Sequence, residues 1–142
     1  MAGVLYLVPN LLGAVAPEAV LSARTIEIAR RLDRWAVETP KAARAFLKSL
    51  GVLRPSAELA ILPLADGRGA GARDPALAAL ASGHDVGSLS DAGCPGVADP
   101  GAALVAGAHA RGIRVVPLVG PSAILLALMA SGMNGQQFCF HG

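Results

Sequence analysis

The chain of 142 residues is expected to fold as an α/β protein, with a three-layer, mostly parallel five-stranded sheet and helices on both faces. Three observations predict it. Short apolar runs alternate with longer segments that read as helices along the whole length. The runs are short and mainly apolar, as expected for strands covered on both sides. The composition is 54% hydrophobic but only 4% aromatic, so the core is built from Ala, Val, Leu and Ile, which let helices approach a sheet closely.

The strands are expected near Val4 to Val8, Arg34 to Glu38, Leu59 to Leu64, Val86 to Leu89 and Arg114 to Leu118, with Phe138 to His141 as a candidate sixth. Helices are expected between them, over Pro17 to Leu32, Pro40 to Leu50, Pro75 to Ser82, Ala102 to Arg111 and Ser122 to Ser131. Pro40 and Pro75 suit a first helical position, and Asp74 and Ser122 suit N-caps. Gly51, Gly83, Gly112 and Gly132 stand where helices should end. The low-complexity stretch Gly67 to Arg73 lacks the spacing of a nucleotide-binding loop and reads as a linker.

One domain of this size buries a core without disulfides or metal. Cys94 and Cys139 have no second Cys or His at a metal-site spacing, and His84, His109 and His141 are scattered, so no metal is expected. A reduced, cytoplasmic protein is the simplest reading. The apolar start, Val4 to Ala16, has no preceding Lys or Arg and is broken by Pro9 and Gly13, unlike a signal peptide. The uncharged run from Val115 to Met133 is divided by Pro117, Gly120 and Pro121, so no membrane span is expected. A formal net charge of +2 is too small to announce a nucleic-acid partner, although Lys41, Arg44 and Lys48 share one helical face as a positive stripe.

Chemistry is expected beyond the carboxyl ends of the strands. The loop Ser90-Asp91-Ala92-Gly93-Cys94-Pro95-Gly96-Val97-Ala98-Asp99-Pro100-Gly101 carries three Gly, two Pro and two Asp in twelve residues, more than a strand-to-helix turn requires. Its small side chains leave main-chain groups open to a ligand, and Asp91 adds an acceptor at the strand tip. Asp99 reads as a cap for the following helix. The turn Gly120-Pro121-Ser122 leads into a helix whose first amides suit an anionic group.

That loop, followed by Gly112-Ile113-Arg114-Val115-Val116-Pro117-Leu118-Val119-Gly120-Pro121-Ser122 and Ala130-Ser131-Gly132-Met133, resembles the tetrapyrrole-methylase-like, or class III, S-adenosylmethionine-dependent methyltransferases. Within them it is most similar to the branch of ribosomal small-subunit RNA ribose 2′-O-methyltransferases, which Leu5-Tyr6-Leu7-Val8-Pro9 also matches. The resemblance implies that residues 1–142 form an N-terminal cofactor-binding domain, without the C-terminal domain, in a protein that works as a homodimer. It further implies that S-adenosylmethionine contacts Leu12, Asp91, Ala92, Gly93, Cys94, Ser122 and Ala123. Asn10-Leu11-Leu12-Gly13 departs from the Gly-rich first loop of the tetrapyrrole enzymes, and Glu38-Thr39-Pro40 from the Glu-Asp-Thr of the ribosomal RNA enzymes.

The expected activity is methyl transfer to ribosomal RNA, with a tetrapyrrole or another small molecule as the alternative acceptor, and weak turnover from this domain alone. A module that dimerises and binds the cofactor without catalysis is the alternative of another class. Methyl transfer needs no covalent nucleophile, only donor and acceptor held at near-attack geometry. Glu38 is a candidate base, or else a carboxylate at a helix start.

Overall fold

A computed structural model describes residues 1–52, 54–55, 58–64 and 74–142. In chain order the elements are β1 (Val4–Leu7), α1 (Pro17–Val20), α2 (Ala23–Arg31), β2 (Arg34–Val37), α3 (Pro40–Ser49), β3 (Ala60–Pro63), α4 (Pro75–Ala81), β4 (Val86–Leu89), α5 (Gly101–His109), β5 (Arg114–Pro117) and α6 (Ala123–Ser131). The five strands form one sheet in the order β3-β2-β4-β1-β5, and every neighbouring pair is parallel. The expected fold class is therefore observed. The linker expected over Gly67 to Arg73 lies outside the described residues.

Two expectations are corrected. Pro17 to Leu32 is not one helix: Leu21 and Ser22 are extended, and the Ser22 hydroxyl accepts the Thr25 N–H at 3.1 Å, starting α2 afresh. A serine that can cap competes with helix continuation, which apolar periodicity alone does not reveal. Phe138 to His141 forms no strand. Phe138 and Phe140 are half exposed, and no partner strand is offered to this segment among the described residues.

The sheet separates two cores. On one face Ile26, Ile28, Ala29, Phe46, Leu47 and Leu50 of and beside α2 and α3 pack on Trp35, Val37 and Leu89. On the other, Ala76, Leu77, Leu80, Leu104 and Ala108 of α4 and α5 pack on Leu5, Ala36 and Val86. Trp35, Ala36 and Val37 alternate between these cores, so beyond Arg34 β2 is buried on both sides, as this apolar run requires. α6 contributes no buried residue.

Short helices depend on their caps. The Asp74 Oδ1 accepts the N–H of Ala76 at 2.8 Å and of Leu77 at 3.2 Å, and Pro75 needs no amide partner. Asp74→Ala is expected to lower the unfolding free energy by about 1 kcal/mol in a urea titration, whereas a change under a few tenths would show that α4 does not rely on this cap.

Connectivity places the crevice. From β4 the chain turns to α5, whereas the neighbouring strands β1 and β2 lead to helices on the other face. The loop after β4 therefore stands where the connections diverge, the general position of ligand clefts in open parallel sheets.

Candidate functional site

The loop after β1 and the loop after β4 are tied together at their roots. Asn10 is 6% exposed, and its Nδ2 donates to the carbonyl oxygens of Ser90 at 2.9 Å and Asp91 at 3.1 Å. Its backbone N–H donates to Gly93 O at 2.9 Å, a short antiparallel bridge beyond the parallel ladder. Nothing in the residue pattern singled out Asn10. A buried amide at a strand tip was the available signal, because such a group must find partners across the adjoining loop.

Ser90 donates within its own loop, to the carbonyl oxygen of Ala92 at 3.0 Å or Gly93 at 3.1 Å. Gly93 has φ +68°, and a Cβ there would lie 3.3 Å from Leu12 Cδ2 and 3.5 Å from the Pro121 carbonyl oxygen. Glycine both permits this backbone and keeps the space open. The Cys94 thiol donates to the same Pro121 carbonyl at 3.4 Å, and burial pushes its pKa up, so it is a neutral contact and not a thiolate nucleophile.

These contacts bring the β5–α6 turn against the loop. Leu12, Ala92, Gly93, Cys94, Ser122 and Ala123, with Val97 and Ile124, line one concavity of about 100 Å³. Ser122 caps α6, accepting the Leu125 N–H at 3.4 Å. Cys94 and Val97 also border a larger apolar groove of about 490 Å³ between Leu7, Pro9, Val105 and Pro117. Asp91 stands apart from both. It lines a third concavity, of about 340 Å³, with Asn10 to Gly13, Ala92 and the α3 residues Ala42, Ala45, Phe46 and Ser49. Leu12 and Ala92 form a wall common to the first and third.

Asp91 is held from β2. Thr39 Oγ1 donates to Asp91 Oδ2 at 2.6 Å, and the Asp91 N–H donates to Glu38 Oε2 at 3.1 Å. Glu38 therefore does not satisfy a helix amide. It braces the β4 loop.

Asp99 Oδ1 accepts the N–H of Gly96 at 2.7 Å and of Gly101 at 2.9 Å, so it ties the loop to the first amide of α5 from the position before the N-cap, which is Pro100 and not Asp99. Its other oxygen is buried without a partner, as is the Ser88 hydroxyl. Burial raises the Asp99 pKa first of all; the two amide bonds lower it, and the charge of Glu38 raises it further. A folded-state pKa above the ordinary one means that the native state binds the proton more tightly. The resulting stabilisation is present below the ordinary carboxylate value and is lost as pH rises through the folded value. Asp99→Asn keeps the accepting oxygen but cannot ionise. Its stability relative to the parent should grow as pH rises above the ordinary carboxylate value of about 4, and an offset independent of pH in urea titrations would refute this.

Among the described residues, no helix is long and apolar enough to cross a membrane, and no group of three His, Cys, Asp or Glu side chains could hold a metal ion.

No family model matches the chain. Similar proteins named "Ribosomal RNA small subunit methyltransferase I" occur in Escherichia coli O157:H7, 34% identical over 99% of this chain, and in Mesorhizobium japonicum, 40% identical over 97%. The chain resembles ribosomal RNA methyltransferases over nearly its whole length. A third such relative, from Haemophilus influenzae, is 32% identical over 100% of the chain. The chain spans about half the length of these relatives, covering 46%, 44% and 47% of them respectively.

Proposed function

We propose that this chain is the cofactor-binding domain of an S-adenosylmethionine-dependent methyltransferase that modifies small-subunit ribosomal RNA, at a ribose 2′-hydroxyl, in the cytoplasm. The observation that carries the reading is the convergence of Leu12, Ala92, Gly93, Cys94, Ser122 and Ala123, from three separate loops, on one concavity beside the open Gly93 cradle. The names of the relatives support the same chemistry.

The residues fit such a donor in kind. A cradle of about 100 Å³ is smaller than the 300–1,000 Å³ usual for small-molecule sites. It would hold one part of the molecule, with the adjoining apolar groove beside Cys94 and Val97 available to the rest. Bound there, S-adenosylmethionine would supply a methyl group on a sulfonium for in-line transfer. The backbone of Ala92 to Cys94 and the first turn of α6 would orient it, and the Leu12 and Ala92 wall would separate it from the concavity that contains Asp91. Asp91, fixed by Thr39 and Glu38, would accept a hydrogen bond from an acceptor hydroxyl.

The reading is tested by mass spectrometry of small-subunit ribosomal RNA from cells with and without the gene. Loss of one ribose methyl group is expected, and an unchanged modification pattern would overturn it. The same reading includes a homodimer, which the exposed Leu125, Leu126 and Met129 of α6 support. Sedimentation of the full-length gene product should give twice the monomer mass, and a monomer at micromolar concentration would exclude that part.

A further inference from the structure

We propose that the 340 Å³ concavity between Asp91 and α3 is the entry site for one nucleotide of single-stranded RNA, whose phosphates run along Lys41, Arg44 and Lys48. The inference rests on the methyltransferase reading and adds to it where the acceptor lies.

Three observations meet here. The concavity is within the size range of a small-molecule site and shares the Leu12 and Ala92 wall with the cradle, so its occupant would lie one side-chain layer from a donor. At 100° per residue, the lining positions Ala42, Ala45 and Ser49 cover one strip of α3, and Lys41, Arg44 and Lys48 cover the strip directly beside it, on the side away from the buried Ala43, Phe46 and Leu47. All three cations are exposed and, among the described residues, none is in an ion pair.

The charges are also sorted for a nucleotide. Asp91 on the concavity wall repels phosphate and accepts from a hydroxyl or amino group, while the stripe outside attracts phosphate. A sugar and base inside with the backbone outside satisfies both. Apart from the buried Phe46, the α3 residues that line it are Ala42, Ala45 and Ser49, so a ring can enter without displacing a long side chain from this helix. RNA whose bases are unpaired can present a nucleotide this way, and an intact duplex cannot.

The test is fluorescence anisotropy of the full-length gene product with a labelled single-stranded RNA of mixed sequence, at several salt concentrations. Each phosphate contact on a single strand contributes about 0.7 to the slope of log affinity against log salt, so the triple variant Lys41→Ala, Arg44→Ala, Lys48→Ala should flatten it by about 2. Ala45→Leu, at an exposed position, should weaken RNA binding severalfold and leave the slope unchanged. Arg111→Ala, just past the end of α5 and across the sheet, serves as the charge control and should change neither. Calorimetry with S-adenosylmethionine on the same proteins should give parental affinity for all variants. If the triple variant keeps the parental slope, or if a duplex or an acidic protein competes better than single-stranded RNA, the inference is overturned while the donor reading stands. If the parent binds RNA but no S-adenosylmethionine, the donor reading fails independently.

Discussion

Trp35→Ala is expected to lower the unfolding free energy by about 3–5 kcal/mol, the usual cost of removing a large buried aromatic. Trp35 is fully buried at the centre of β2 and packs edge-on against Phe46 of α3, with ring centroids 6.4 Å apart. Its indole lies over Gly87 of β4, where an added Cβ would come within 2.8 Å of the ring, so the two strands and the helix close around a single side chain. The Nε1–H donates to Leu32 O at 3.4 Å and leaves no orphan polar group. The neighbouring Ile28, Leu32, Phe46, Leu47 and Leu89 are already buried and close-packed, so they can collapse only partly into the cavity. A loss of this size is a large part of the roughly 5–15 kcal/mol that holds a domain together. Trp35→Phe should cost much less, about 1 kcal/mol. Urea unfolding at constant slope is the measurement, and equal losses for the two variants would show that volume at this position is not what matters.

Most of the fold was legible because its signals are local. Apolar runs bounded by Pro, Gly and Asp mark β1 to β5 to within about two residues, and Asp74 and Ser122 cap the helices that follow them. The break at Ser22 was not legible because its advantage is tertiary as well as local. Restarting α2 there lets Thr25 Oγ1 donate to Val119 O at 2.8 Å, in the turn that also serves the site. The candidate site divides in the same way. Glycine and small residues advertised the loop from Ser90 to Gly101, but its division between two concavities, with Asp91 on one side of the Leu12 and Ala92 wall and Gly93 and Cys94 on the other, depends on how two loops cross. The Thr39 to Asp91 bond spans 52 residues, and no spacing rule anticipates it.

Gly120→Ala should have the largest effect on the site itself. The turn it occupies passes so close to the end of β1 that a Cβ would overlap Pro9 Cβ and stand 2.6 Å from Pro9 Cγ and 3.1 Å from Leu21 Cδ2. Pro9 is fully buried and rigid, and Leu21 is buried in the core, so neither can yield cheaply. The turn must move instead, at a cost of about 1–3 kcal/mol for overpacking. Movement there shifts the Pro121 carbonyl that receives the Cys94 thiol, and with it the Ser122 cap that starts α6. Both walls of the cradle then separate from Gly93. Calorimetry on the full-length gene product should show S-adenosylmethionine affinity reduced at least tenfold, about 1.4 kcal/mol, together with a lower midpoint of unfolding. Val119→Ala, one residue earlier at a position 73% exposed, should leave both unchanged. A Gly120→Ala protein that loses stability but binds the donor normally would mean that the turn and the loop after β4 do not act as one site.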